Sequence, residues 1–215
     1  MTKLHFRRLT LNLEQRLLLV FTLGFTGAQA YAQSPNPKAH YLHNGAPVAG
    51  WHMALGDESE WYQPVKSDKQ SSNNKAINVE KVTVDDKQGL RLKWRKKDKD
   101  GAFSILGQEI DIKALESSIG LAIDLRVEKR LKQSLTLSMD CGYPCRGSLN
   151  LKPILEAYPQ NEWFTLPIPL RCFAQNGTDL SKMNTPLHFQ TKGKFQLVVG
   201  EVRLIQLPDS IDWCK

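Results

Sequence analysis

The 215-residue chain has no Gly-x-Ser-x-Gly elbow, no His-Glu-x-x-His pair and no phosphate-binding loop. Serine-hydrolase, zinc-protease and nucleotide-dependent chemistries therefore have no foothold in it. It is short of helical signals: Lys152–Tyr158 has the pattern for about two turns and Asp179–Met183 for one. It lacks a strong charge of either sign, since 29 Lys and Arg face 22 Asp and Glu. Part of that excess lies in one run, Arg91, Lys93, Arg95, Lys96, Lys97 and Lys99. Such a run at a strand end is a solvated surface rather than the concentrated face that nucleic acid needs. Apolar runs are absent too, apart from one at the N-terminus.

That run belongs to a three-part leader. Lys3, Arg7, Arg8 and Arg16 make a positive region, and Leu17–Leu23 opens an apolar one. Ala30-Tyr31-Ala32 offers small residues to a signal peptidase, with Gln33 as the first mature residue; Ala28-Gln29-Ala30 is the alternative cut. The stretch from Leu17 to Gln33 is diluted by Gly24, Gly27, Gln29 and Gln33, which argues against a membrane anchor. No Cys follows the cut, and the residues after Arg7-Arg8 do not fit a twin-arginine signal. A signal peptide over 1–32 is thus expected, with export to the periplasm or beyond and no membrane span after cleavage. Removing it leaves 25 basic and 21 acidic residues, a net charge of +4 in place of +7.

All four cysteines, Cys141, Cys145, Cys172 and Cys214, follow the leader and reach an oxidising compartment. Of three possible pairings, the favoured one joins Cys141 to Cys145 across a turn with Gly142 and Pro144, and Cys172 to Cys214. Half a zinc site is the rival reading, but no second Cys/His pair with ligand spacing follows. Residues 33–50, rich in Pro, Asn, Ala and Gly, read as a flexible arm. His40, His43 and His52 lie there or nearby, without an acidic partner at metal-ligand spacing. No cofactor is expected; a structural calcium would look to Asp85, Asp86 or Asp209, though no loop has recognisable ligand spacing.

Within an expected domain over 51–215, the chain changes character from about residue 76. Ile119, Leu121, Ile123, Leu125 and Val127 occupy alternate positions, as do Leu135, Leu137 and Met139, then Leu90, Leu92 and Trp94, and Phe164, Leu166, Ile168 and Leu170. A period of two places one apolar face on each strand. Half-buried strands between short turns indicate an all-β fold, an antiparallel β-sandwich. Phe195, Leu197 and Val199 alternate, and Val202 and Leu204 resume out of phase, which predicts a bulge at Gly200. Pro167 and Pro169 predict an edge strand.

The stretches LSMDCGYPCRGSLNLKPIL (137–155), EWFTLPIPLRCF (162–173) and NGTDLSKMNTPLHFQTKGKFQL (176–197) hold a Cys-Gly-x-x-Cys-x-Gly turn, a Trp strand running through Pro-Leu into Cys-Phe, a Gly-x-Asp-Leu-Ser segment and a Pro-x-x-x-x-Thr-x-Gly lead-in. QGLRLKW (88–94) adds a strand ending in Trp. Together they resemble the C-terminal galactose-binding-like domain of ExoP-type glucan glucohydrolases of glycoside hydrolase family 3. The resemblance covers about 76–207, and 52–74 has no counterpart in it. It implies a jelly-roll, galactose-binding-like module, standing alone without a catalytic barrel, that recognises a glucan or other polysaccharide without cleaving it.

A sugar site stacks pyranose faces on exposed aromatics and fixes hydroxyls with a few polar groups. Trp94 shares the face of Leu90 and Leu92 and belongs to the core. Trp163 is out of phase with Phe164, Leu166 and Ile168 and points to the other side of its sheet. Trp61 lies with Trp51, Tyr62, Asp57, Glu58 and Glu60 in a loop segment that either contacts glycan or plugs the sandwich, and Trp213 packs beside Cys214. Asp124 and Arg126 project from one strand, and Thr136, Ser138 and Asp140 from another; if those strands are neighbours they form a sugar floor, rimmed by Arg146 and Arg171. Trp61, Trp163, Asp124, Arg126, Asp140 and Arg146 are the candidate carbohydrate-binding residues. Glycoside hydrolysis needs two opposed carboxyl groups, one with a raised pKa, and no such constellation is legible. The alternative is a structural domain that docks to an envelope protein and binds no sugar.

Overall fold

A computed structural model describes residues 35–95, 98–207 and 214. The signal peptide, Asp209 and Trp213 lie outside them. The strands are β1 (His40–His43), β2 (Ala46–Pro47), β3 (Trp51–Asp57), β4 (Gln63–Pro64), β5 (Lys69–Ser71), β6 (Ile77–Val84), β7 (Lys87–Trp94), β8 (Asp100–Gly107), β9 (Ile119–Lys129), β10 (Thr136–Asp140), β11 (Arg146–Asn150), β12 (Trp163–Pro169), β13 (Thr185–Lys192) and β14 (Phe195–Gln206). Two short helices, α1 (Lys152–Glu156) and α2 (Leu170–Gln175), and single 3-10 turns at Lys113–Leu115 and Leu180–Lys182 complete it. Among the described residues no helix is long and apolar enough to cross a membrane.

The strands form two antiparallel sheets of a β-sandwich. The larger runs β12-β9-β14-β7-β6-β5, with β1 paired to β14 and β2 to β1; the smaller runs β11-β10-β13-β8-β3-β4. The alternation puts Leu121, Ile123 and Leu125 from one sheet, and Leu137, Phe103 and Phe189 from the other, into a shared core where all six are fully buried. Burying side chains of this size contributes about 1.5–3 kcal/mol each. Trp94 sits among them, its indole Nε1–H donating to the Gly101 carbonyl at 2.7 Å. Asp85 and Asp86 form the two-residue turn between β6 and β7, both at positive φ (51° and 60°). Short acidic residues tolerate that conformation, and the turn's twist matches that of the flanking strands. Turn-making accounts for the backbone conformation of this pair.

The register of β14 against β9 slips between Val199 and Val202, so a bulge does fall at Gly200 and returns Val202 to the core. β12 is an edge strand, as its prolines require. It stops at Pro169, however, and Leu170 opens α2 instead of ending the strand. The alternation continues across that junction because Leu170 is buried either way.

The arm reading of 33–50 is corrected. β1 pairs with β14, and Tyr41 and Leu42 are fully buried. Trp51 packs edge-on against Tyr41, with ring centroids 4.8 Å apart, and its Nε1–H donates to the Pro37 carbonyl. A strand of four residues is too short to show periodicity, and its flanking Pro, Asn and Gly serve turns. Both favoured disulfides are present, Cys141–Cys145 and Cys172–Cys214.

Candidate functional site

The outward face of the smaller sheet forms the floor of a groove of about 1060 Å³. Parity decides its lining: with Leu137, Leu187 and Phe189 turned inward, Ser138, Asp140, His188 and Gln190 turn outward. Cross-strand register sets His188 beside Ser104 on β8 and Ser138 on β10, and Gln190 beside Ala102. The small side chains of Ala102 and Ser104 keep the floor low between two walls.

One wall is the loop between β3 and β4, which carries Trp61 and Tyr62. Gly56 lets it close down, because a Cβ there would lie 2.5 Å from the Trp61 carbonyl oxygen. Asp57 anchors it: Oδ1 accepts from the Ser59 amide (2.9 Å) and hydroxyl (2.6 Å) and the Glu60 amide (3.2 Å), and Oδ2 from the Asn74 amide (2.8 Å). Burial raises the Asp57 pKa, but the bonds from Ser59 and Asn74 outweigh it and hold the carboxyl well below its ordinary range. Trp61 is left 82% exposed on a pinned loop.

The opposite wall is the turn between β10 and β11. The Cys141–Cys145 disulfide and the Cys145 amide bond to the Gly142 carbonyl close it around Tyr143, which is fully exposed. Arg146 binds Asp140 through two bonds of 2.7 Å, a bidentate pair that orients both at the groove edge. His188 shares a 2.8 Å hydrogen bond with the Ser104 hydroxyl. Burial, and then the nearby Arg146 charge, lower its pKa to about 4, so at neutral pH the floor presents an uncharged imidazole.

The candidate residues divide between two faces. Trp61, Asp140 and Arg146 line the groove together. Asp124, Arg126 and Trp163 do not: β9 and β12 belong to the larger sheet, and β10 to the smaller. A floor shared by Asp124, Arg126, Thr136, Ser138 and Asp140 is therefore ruled out, because alternation gives each strand's outward side but not its neighbours. Asp124 instead accepts from Thr165 at 2.7 Å and faces Arg203 at 3.2 Å, and Arg126 faces Asp85. Tyr143 and His188 were missed. An aromatic residue inside a five-residue disulfide loop was a usable signal, and so was His188's parity between Leu187 and Phe189. His40 and His43 lie on the larger sheet and His52 at the groove, and no group of metal-binding side chains occurs among the described residues.

Comparisons place this architecture among known proteins. The extra C-terminal domain of an exo-1,3/1,4-β-glucanase (ExoP) from a Pseudoalteromonas species is similar over 80% of this chain and 94% of that domain, with a TM-score of 0.64 and 18% identity. The intact glucanase matches with a TM-score of 0.66 and 17% identity, over 80% of this chain and 21% of that protein. A family 30 carbohydrate-binding module of a Clostridium thermocellum cellulosomal cellulase matches with a TM-score of 0.55 and 15% identity, over 80% of this chain and 98% of the module. A family 11 module from that organism, in complex with a β-1,3-1,4-mixed-linked tetrasaccharide, has a TM-score of 0.50 and 12% identity over 78% and 95% of the two chains. No curated protein sequence matches. A family model described as galactose-binding domain-like (Exop_C) matches residues 49–204, taking in the segment 52–74 that the sequence motifs left out. The chain belongs to the Exop_C family of galactose-binding-like domains.

Proposed function

We propose that the chain is an exported, non-catalytic carbohydrate-binding module that takes a neutral glucan chain along the groove of its smaller sheet. The observation that carries this is the pairing of two exposed aromatics, Trp61 and Tyr143, on facing rigid walls above a polar floor. Pyranose rings bury their apolar faces on such side chains, and the floor's Asp140–Arg146 pair, His188 and Gln190 supply donors and acceptors for hydroxyls. The mixed-linked tetrasaccharide on the family 11 module supports a β-glucan as the first ligand to test.

Binding without hydrolysis fits the electrostatics. A glycosidase acid needs a raised pKa, whereas Asp57 in this groove is shifted the opposite way by its hydrogen bonds. Export fits the two disulfides, which persist in oxidising compartments. The test is calorimetry with neutral tetrasaccharides of β-1,3, β-1,4 and mixed linkage. Saturable binding that falls roughly five- to thirtyfold with Trp61→Ala and again with Tyr143→Ala is expected, at about 1–2 kcal/mol per aromatic contact. Both residues are exposed, so both variants should melt like the parent. Absence of binding across the panel refutes the reading.

A further inference from the structure

Trp163 lies on the outer face of the larger sheet, away from the groove. One side of its ring rests on backbone: Cβ atoms built at Gly200 and Gly89 would meet it at 3.2 and 3.4 Å. Its Nε1–H donates to the Val84 carbonyl at 3.2 Å, which fixes the plane of the indole. Beside it opens a cleft of about 410 Å³, within the roughly 300–1,000 Å³ usual for small-molecule sites. Asn44, Asp86, Lys87, Gln88, Asp124 and Glu201 make up the polar part of its lining.

Two of the three carboxylates of this cleft are engaged within the protein. Asp124 is held by Thr165 and Arg203, and Glu201 by the Asn44 amide and His43. Each carboxylate still has lone pairs free, since an ionised carboxyl offers about four acceptor positions. The Lys87 ammonium lies 5.6 Å from the Trp163 ring centroid, on an exposed side chain that can swing aside. An aromatic plate edged by carboxylate acceptors and amide donors, with the opposite charges of Asp86 and Lys87 beside it, suits a polyhydroxylated, uncharged ring.

We propose that this cleft is a second sugar site, taking one or two rings of a neutral glycan against Trp163. With the groove on the opposite sheet, the module then holds two glycan chains at once and can cross-link a polysaccharide. The cleft stands on its own geometry, and only the bivalency rests on the proposed role of the groove. A site of one or two rings should have a Kd on the order of 1 mM.

The test uses the ¹⁵N-labelled chain with its groove disabled by Trp61→Ala and Tyr143→Ala, titrated to about 10 mM, tenfold above that Kd, with cellotetraose and a mixed-linked tetrasaccharide. The Trp163 indole Nε1–H resonance is assigned by its loss in Trp163→Phe. A saturable shift of that resonance, abolished by Gln88→Tyr at the exposed cleft rim, is the expected result. An immobile Trp163 resonance overturns the second site. If the unmodified chain still binds by calorimetry in that case, the groove reading survives alone. A shifting Trp163 with unchanged total affinity in the groove variant supports the cleft and removes the groove. Light scattering with a long β-glucan should rise with the unmodified chain and with neither single-site variant; a rise with the Gln88→Tyr variant overturns bivalency through this cleft.

Discussion

His188 should make the stability of this domain depend on pH in a window where few other groups titrate. In the unfolded chain an imidazole takes up its proton near pH 6.5, but on the floor of the groove burial and Arg146 postpone that to about 4. As pH falls through this interval the unfolded state gains a proton that the native state refuses, so stability present in full above 6.5 declines toward 4 and then levels off. The difference of about 2.5 pKa units sets a limit of about 3 kcal/mol, of which on the order of 2 kcal/mol is lost between pH 7 and pH 5. The Asp57 and Glu128 carboxyls, also shifted down, lose their contributions mainly below about pH 4.5, beneath the comparison of pH 7 with pH 5. His188→Gln keeps a polar side chain beside Ser104 and removes the titration. Urea unfolding of both proteins at pH 7 and pH 5 isolates the effect as a difference of differences. The gap between them should change by about 2 kcal/mol, or roughly 4–8 °C in Tm for a domain of this size. Parallel pH profiles would refute the inferred environment of His188.

Gly56→Ala should destabilise the domain by more than about 1 kcal/mol and weaken glycan binding, because the new Cβ collides with the Trp61 carbonyl; a folded variant with unchanged affinity would count against the loop's role. Replacing Cys172 and Cys214 by Ser opens a loop spanning a separation of 42 residues and should cost about 4 kcal/mol on the chain-entropy estimate, read by denaturant unfolding. The corresponding change at Cys141 and Cys145, a separation of 4, should cost about 2 kcal/mol but reduce affinity, since it frees the turn that presents Tyr143. Trp94→Phe removes a donor and leaves the buried Gly101 carbonyl short of its partner, with a loss of about 1–3 kcal/mol and no change in binding.

Local rules made the sandwich legible before any coordinates. Alternation in Ile119–Val127 and Phe195–Val199 fixes which face of each strand is apolar, and no long-range information enters that rule. The Gly200 bulge and the edge position of the strand with Pro167 and Pro169 follow from equally local facts, a phase slip and a missing amide. Trp94 in the core and both disulfide pairings were also within reach. β1 escaped because its burial comes from pairing with β14, which lies more than 150 residues away.

The binding surface is where tertiary structure took over. Sequence placed Asp124 and Arg126 outward, and Thr136, Ser138 and Asp140 outward, but parity does not say which strands are neighbours. Sheet order does, and it puts the two groups on opposite faces of the sandwich. It also sets Trp61 across from Tyr143, and His188 between Ser104 and Ser138, pairs remote in sequence that share one groove. Composition and alternation determined that this protein is a β-sandwich with two disulfides. Only strand pairing, which depends on interactions between distant segments, decided which of its aromatic and polar side chains meet.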